Sequence, residues 1–365
     1  MFPATEILLD AASGHDAQSW LILGGEAGLA VGLCDDHPDA TVHWQPIDWR
    51  ERSPAVNPPD NLRIDEPGAT AADVDSVVIA STPDRNLARR CLLMARQALV
   101  VNGSLFIAGA NTQGIRPVIG DAGKLFGPAL REDYRSRQRV AVFAGAGVVD
   151  DPPAWASKPG VKPGTWEQYV LDVAGVSFSL VTQAGVFAGG RVDPGTRLLL
   201  DSLPNRLSGR VLDVGCGAGA IGVAAWMLRA DAVDMTDVNL LAIQAAGENV
   251  RRLSRIGERR GSVPGYGPGA GAMRVFASDV YSACGDARYD LIVSNPPFHR
   301  GKAVDSTVAE RLIDEAPNHL SDGGALLVVG NAFLAYGKRM ESVFARVETV
   351  AATRQYHVLR ASDPR

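Results

Sequence analysis

The sequence predicts an α/β protein of two tandem units, each a doubly wound, mainly parallel sheet. Three observations carry this expectation. Downstream of residue 165, β-type and helical runs alternate, and strands alternating with helices of about ten to fifteen residues build parallel sheets. The same order of patterns recurs, blurred, in the first 150 residues, as an internal duplication would leave it. Between the two lies "DPPAWASKPGVKPGT", rich in proline and without periodicity. It sets the expected organisation: a unit at 1–150, a linker at 151–165 and a second unit at 166–365.

In the second unit "RVLDVG" reads as a strand and "AIGVAAWMLRA" as a helix opened by small residues. "DAVDMTDV" is the next strand, and "NLLAIQAAGENVRRL" a helix with Asn239 placed as its N-cap. The Gly-rich "GSVPGYGPGAGA" (261–272) reads as a loop before the strand "RVFASD". "YDLIVSN" is a buried strand cut short by two prolines. "STVAERLIDEAPNHL" is a helix and "GGALLVVGN" a late strand.

The first unit matches this order three times. "WLILGGEAGLAV" aligns without gaps on "VLDVGCGAGAIG", "DSVVIASTPD" stands where "DLIVSNPPF" stands, and "NGSLFIAGAN" matches "GGALLVVGN", with Asn111 beside Asn331. The polar groups do not match. Ile22 and Glu26 stand where the second copy has Asp213 and Gly217, and Ser81, Thr82 and Pro83 stand about where it has Asn-Pro-Pro. A glutamate in a tight ligand-binding turn adds bulk and charge where backbone must approach closely. The first unit is therefore expected to be a non-catalytic scaffold or docking domain that binds no cofactor.

At 365 residues, 46% hydrophobic and 21% charged, the chain suits two domains of ordinary size with substantial cores. No apolar run approaches the roughly 18 residues of a membrane span, and the start lacks the basic and apolar regions of a secretory signal. Four scattered cysteines with no Cys-x-x-Cys pair fit a reducing cytoplasm and give no zinc signature. A net charge of −5 argues against broad, sequence-independent nucleic-acid binding. That excess lies in residues 1–165, because acids and bases balance in 166–365. The cluster "RRLSRIGERR" (251–260) reads either as a solvated helix end or as a phosphate-contacting patch.

The chemistry concentrates at strand ends. Gly215, Gly217 and Gly219 follow one strand and open the next helix, so backbone can turn sharply and a ligand can approach the helix N-terminus. Alone, this spacing is shared by many nucleotide-binding folds. Asp213, two residues earlier, suits a cationic amino-acid end better than a pyrophosphate. Asp237, at the end of the next strand, suits a ribose diol, and Asp279, at the third, an adenine amino group. Any one of these acids can instead be a helix N-cap. Three at successive strand ends describe a pocket for S-adenosylmethionine (SAM), with no metal required.

"VLDVGCGAG", "DVN" and "SNPPFHRG", in this order, resemble class I SAM-dependent methyltransferases, whose Rossmann-like fold the alternation above would supply. "SNPPF" is similar to the motif of those that methylate a planar, conjugated nitrogen. "AGVFAGGRVDPGTRLLLDSL" (184–203), "GNAFLAYGKRM" (330–340) and the degenerate upstream copy narrow the match. Together they resemble the two-domain bacterial ribosomal RNA guanine-N2 methyltransferases of the small-subunit type, strongly over 184–340 and faintly over 1–150.

The resemblance implies ribosomal RNA or a ribosomal subunit as partner. It also implies that Asn295 and Pro296 accept the N–H bonds of the guanine amine while Phe298 stacks on the base. Pro297, His299, Arg300, Lys302 and Asn331 would lie on the substrate side, and Phe187 and Thr196 on the cofactor side. His299 can equally be a surface histidine, and Phe187 and Thr196 ordinary packing. Relatives acting on the large subunit share the layout. Glutamine-N5 and adenine-N6 methylation use the same Asn-Pro-Pro-aromatic motif, and an RNA chaperone or assembly factor is the non-enzymatic alternative.

Overall fold

The structure, a computed structural model, describes residues 3–52, 58–69, 73–145, 151–260, 272–297 and 303–365, without the side chains of 256–260 and 303–306. The expected loop at 261–272 thus lies almost wholly outside the described residues. The chain divides into two compact units: Met1–Glu167 with Gln183–Gly185, and Gln168–Thr182 with Val186–Arg365.

The first unit contains α1 (Pro3–Ala12), β1 (Ser19–Leu23), α2 (Ala27–Asp36), β2 (Thr41–Gln45), β3 (Leu62–Ile64) and β4 (Val74–Ala80). It continues through α3 (Arg85–Ala98), β5 (Leu99–Ala110), α4 (Ile115–Phe126), β6 (Arg131–Arg135) and β7 (Gln138–Ala144). Its sheet runs β3-β2-β1-β4-β5-β7-β6. The first five strands pair in parallel, and β7 runs against both of its neighbours, β5 and β6. Trp20, Ile22, Leu29 and Leu33 are fully buried against one face of it.

A short hairpin, β8 (Glu167–Val173) and β9 (Val176–Thr182), opens the second unit. There follow α5 (Pro194–Asp201), β10 (Arg210–Val214), α6 (Ala220–Met227), β11 (Ala232–Asp237), α7 (Leu240–Arg260), β12 (Met273–Ala277) and β13 (Tyr289–Ser294). The unit closes with α8 (Ala303–Glu315), β14 (Leu320–Asn331), α9 (Tyr336–Val343), β15 (Phe344–Ala352) and β16 (Tyr356–Pro364). Asn239 caps α7 as the sequence predicts, its Oδ1 accepting from the Leu241 amide at 3.0 Å. The predicted helix 306–320 starts earlier and stops at Glu315, because Pro317 turns the rest into a 3₁₀ segment at Ala316–His319.

The second sheet runs β12-β11-β10-β13-β14-β16-β15. This is the first sheet's order with every strand replaced by its counterpart, again with a single reversed strand, β16, antiparallel to both β14 and β15. The copies agree in finer detail. Both have a register irregularity at one place, between Val74 and Ser76 and between Tyr289 and Leu291. At each, a glycine of the neighbouring strand faces a carbonyl. A β-carbon on Gly103 would lie 2.7 Å from the Asp75 oxygen, and one on Gly324 2.9 Å from that of Tyr289. Asp75 then accepts from the Ser19 amide at 3.0 Å, and Asp290 from the equivalent Arg210 amide at 2.7 Å. A bulge, a glycine and a carboxylate staple at matching positions are what a duplicated domain retains.

Register also corrects two expected matches. With Trp20 and Val211 equivalent, their partners Ser76 and Leu291 are equivalent. Ala80, not Ser81, therefore stands where Asn295 stands. Likewise Phe106 matches Leu327, so Ala110 rather than Asn111 occupies the place of Asn331. Asn111 lies one residue further on and accepts from Arg139 Nε at 3.0 Å.

Candidate active site

The parallel strands of the second sheet end together at one edge, where ligands bind in such folds. β10 runs into Gly215, Gly217 and Gly219, with φ of 72°, 55° and 85°. This alternation of left-handed residues is open to glycine and strained for other residues. The turn is folded back onto β11: the Gly215 and Cys216 amides donate to the Thr236 carbonyl at 2.8 and 2.9 Å. A β-carbon on Gly215 or Gly217 would meet nothing within 4 Å, so the turn faces open space. Gly219 is crowded by Met235 and Ala246 and serves helix packing instead.

That open space is a cleft of about 430 Å³. Of the residues expected from sequence, Phe187, Thr196, Gly215, Gly217 and Asn295 line it together. Tyr169, Arg191 and Asp193 line it as well. Phe187 is exposed at 58% on the segment before α5, a surface for a flat group to lie against.

The acids occupy three different settings. Asp213 is completely buried beneath the glycine turn, where its Oδ2 accepts from the Gly222 amide at 2.8 Å. Its Oδ1 has no hydrogen-bond partner. Burial pushes its carboxyl up to about 7, the Gly222 bond opposing and the nearby Asp237 charge adding to the rise. Asp237 accepts from the Gly217 amide and the Asn239 amide, each at 2.9 Å, and so ties the glycine turn to the start of α7. Asp279 pairs with Arg311 at 2.8 Å, while its own amide donates to Ser282 Oγ at 3.0 Å.

On the other side of the glycine turn, Ser294 Oγ donates to the Val214 carbonyl at 2.8 Å, fastening the end of β13 to the end of β10. Asn295 follows directly. Its Nδ2 donates to Thr196 Oγ1 at 2.8 Å and to Asp193 Oδ2 at 3.2 Å. Its Oδ1 is buried without a partner. Pro296 is buried and Pro297 exposed. Asn331 ends β14 opposite Tyr356 of β16. Phe298, His299, Arg300 and Lys302 lie outside the described residues.

Residues 177–360 match the methyltransferase small domain family. A ribosomal RNA small subunit methyltransferase C from Vibrio parahaemolyticus is 34% identical over 273 residues, which is 74% of this chain and 71% of that protein. The chain belongs to this methyltransferase family. A relative of the same name from Erwinia tasmaniensis is 29% identical over 100% of this chain and 97% of its own. The fold is also that of a T. thermophilus 16S rRNA N2 G1207 methyltransferase, solved with AdoMet and guanosine. The two superpose with a TM-score of 0.79 at 24% identity, over 99% of this chain and 92% of that one.

Enzymes of the family depend on SAM, and the residues present fit that group. Gly215 and Gly217 leave a cradle free of side chains, Asp213 keeps a buried oxygen unpartnered beneath it, and Asp237 stands at the next strand end. Among the described residues no cluster of His, Cys, Asp or Glu could hold a metal ion, and no helix is long and apolar enough to cross a membrane.

Sequence reasoning missed Asp193, Arg191 and Tyr169. Asp193 had a visible signal: Asp-Pro-Gly-Thr is an N-cap followed by proline at the first helical position. Tyr169 comes from the β8–β9 hairpin, and nothing local in the sequence points it at the glycine turn.

Proposed function

We propose that the chain transfers a methyl group to the exocyclic N2 amine of a guanine in 16S ribosomal RNA. The observation that carries this reading is the unpartnered Oδ1 of Asn295 at the glycine-lined cleft. A purine amine is a poor nucleophile, because its lone pair is delocalised into the ring. Asn295 Oδ1 and the Pro296 carbonyl accept its two N–H bonds, favour a pyramidal nitrogen and localise the lone pair. Proline contributes a fixed φ and no competing N–H. Bound SAM would supply an electrophilic methyl group; the amine's lone pair forms the new N–C bond and the nitrogen then gives up a proton to solvent, so no strong general base is needed. Gly215, Gly217, Asp213, Asp237 and Phe187 hold the cofactor, with Asp279 and Thr196 at its margins. Phe298 stacks on the base, which must leave its helix or come from unpaired RNA. Pro297, His299, Arg300, Lys302 and Asn331 complete the RNA side.

The relatives' small-subunit name and the guanosine bound by the T. thermophilus protein support this substrate. A ribosomal substrate puts the work in the cytoplasm. The first unit serves as scaffold or RNA-docking domain without cofactor. There Trp44 Nε1 donates to the Gly24 carbonyl at 2.9 Å, and Ile47 would touch a β-carbon on Gly24 at 3.4 Å. The matching turn is thus packed with side chains.

Labelled SAM offered with deproteinised small-subunit RNA, whole small subunits, large-subunit RNA, DNA and release factor tests the reading. Label enters small-subunit RNA, free or assembled. Label only in large-subunit RNA, DNA or protein overturns it.

A further inference from the structure

An asparagine amide can sit in two senses related by a half-turn, and only one offers oxygen to an amine. Two groups face the buried side of Asn295. Thr196 Oγ1, at 2.8 Å, can donate or accept and therefore adapts to either sense. Asp193 Oδ2, at 3.2 Å, can only accept as a carboxylate, so it attracts the amide nitrogen and repels the oxygen.

We propose that Asp193 is a positioning residue. Its carboxylate fixes the Asn295 amide with Oδ1 turned toward the acceptor amine, and Thr196 Oγ1 accepts from Nδ2 once that sense is set. This rests on the reading of Asn295 as the group that binds the amine. Asp193 is itself held in place. Its Oδ2 accepts from the Gly195 and Thr196 amides at 2.8 and 3.1 Å, as the N-cap of α5. Proline at the first helical position pre-sets the turn, and a β-carbon on Gly195 would come within 3.2 Å of the Tyr356 ring. One carboxylate oxygen thus starts the helix and orients the amide 102 residues away. Without it, a threonine hydroxyl donating to a flipped Oδ1 satisfies the buried side equally well. The flipped amide then points N–H at N–H.

Asp193→Ser keeps an N-cap of similar strength and removes the carboxylate. Asp193→Asn keeps the cap and the shape, and serves should the serine variant fail to fold. The first readout needs no substrate: the side-chain nitrogen–proton resonances of Asn295, assigned by their loss in Asn295→Ala. In the serine variant they shift, and their solvent exchange speeds by about tenfold as a charge-assisted bond is lost. Unchanged resonances overturn the proposal, whatever the protein methylates.

The second readout is single-turnover methyl transfer at saturating SAM. The rate falls by about tenfold or more in the serine variant and less in the asparagine variant, while SAM affinity stays within about threefold. A retained rate overturns the proposal. So does a loss that appears only as weaker SAM binding, which would make Asp193 a ligand contact. Wild-type protein that leaves small-subunit RNA unmethylated overturns the functional reading instead, and the resonances still decide on Asp193.

Discussion

Asp213 makes the ligand-free protein sensitive to pH in a direction opposite to that of most carboxylates. Its carboxyl is fully buried and titrates at about 7 rather than at 3.8. Between those values the folded state holds a proton that the unfolded state has released. Stability from this group is therefore complete below about pH 4 and falls as pH rises through the folded value of about 7. The difference of roughly three units corresponds to ~4 kcal/mol as an upper bound. Asp213→Asn keeps an acceptor for the Gly222 amide and cannot ionise. Urea unfolding of wild type and variant at a series of pH values between about 4 and 8 isolates the effect, since the rest of the chain cancels. The variant should gain on wild type steadily as pH rises, approaching ~1.4 kcal/mol per unit at the steepest. Two parallel curves would refute the argument from burial. The same reasoning makes SAM binding, if its amine meets Asp213, tighten as pH rises through about 7 in wild type only.

Asp237→Ala strands the Gly217 and Asn239 amides, at about 1–3 kcal/mol, so SAM should bind roughly tenfold to a hundredfold more weakly by calorimetry; unchanged affinity contradicts its place in the cofactor site. Gly222→Ala would put a β-carbon 2.5 Å from Met235 Sδ in a fully buried position. Overpacking there costs about 1–3 kcal/mol in urea unfolding, and a neutral result means Met235 has room to move.

Much of this site was legible because its determinants are local. The glycine turn, the acids at strand ends and the diproline each declare themselves within a few residues, and the alternation of apolar runs fixes the parallel strands. The orientation of Asn295 was not legible, since it depends on Asp193 and Thr196, about a hundred residues earlier. β15 and β16 escaped for a different reason: β15 is buried mainly at its first residue and exposed along most of its length, so it carries no alternation to detect. The matches of Ser81 and Asn111 to the second copy slipped by one residue because apolar runs align without hydrogen-bond register. Only the paired strands show that Ala80 and Ala110 hold those places.

In the proposed reaction Asn295 presents a guanine amine to the methyl donor. Mass-spectrometric identification of the methylated nucleoside, after wild-type or Asn295→Ala protein has acted on small-subunit RNA, tests it most directly. Wild type should yield N2-methylguanosine and the variant none, although the variant still binds SAM. Methyl groups on another base, or N2-methylguanosine formed equally by the variant, would contradict that reaction.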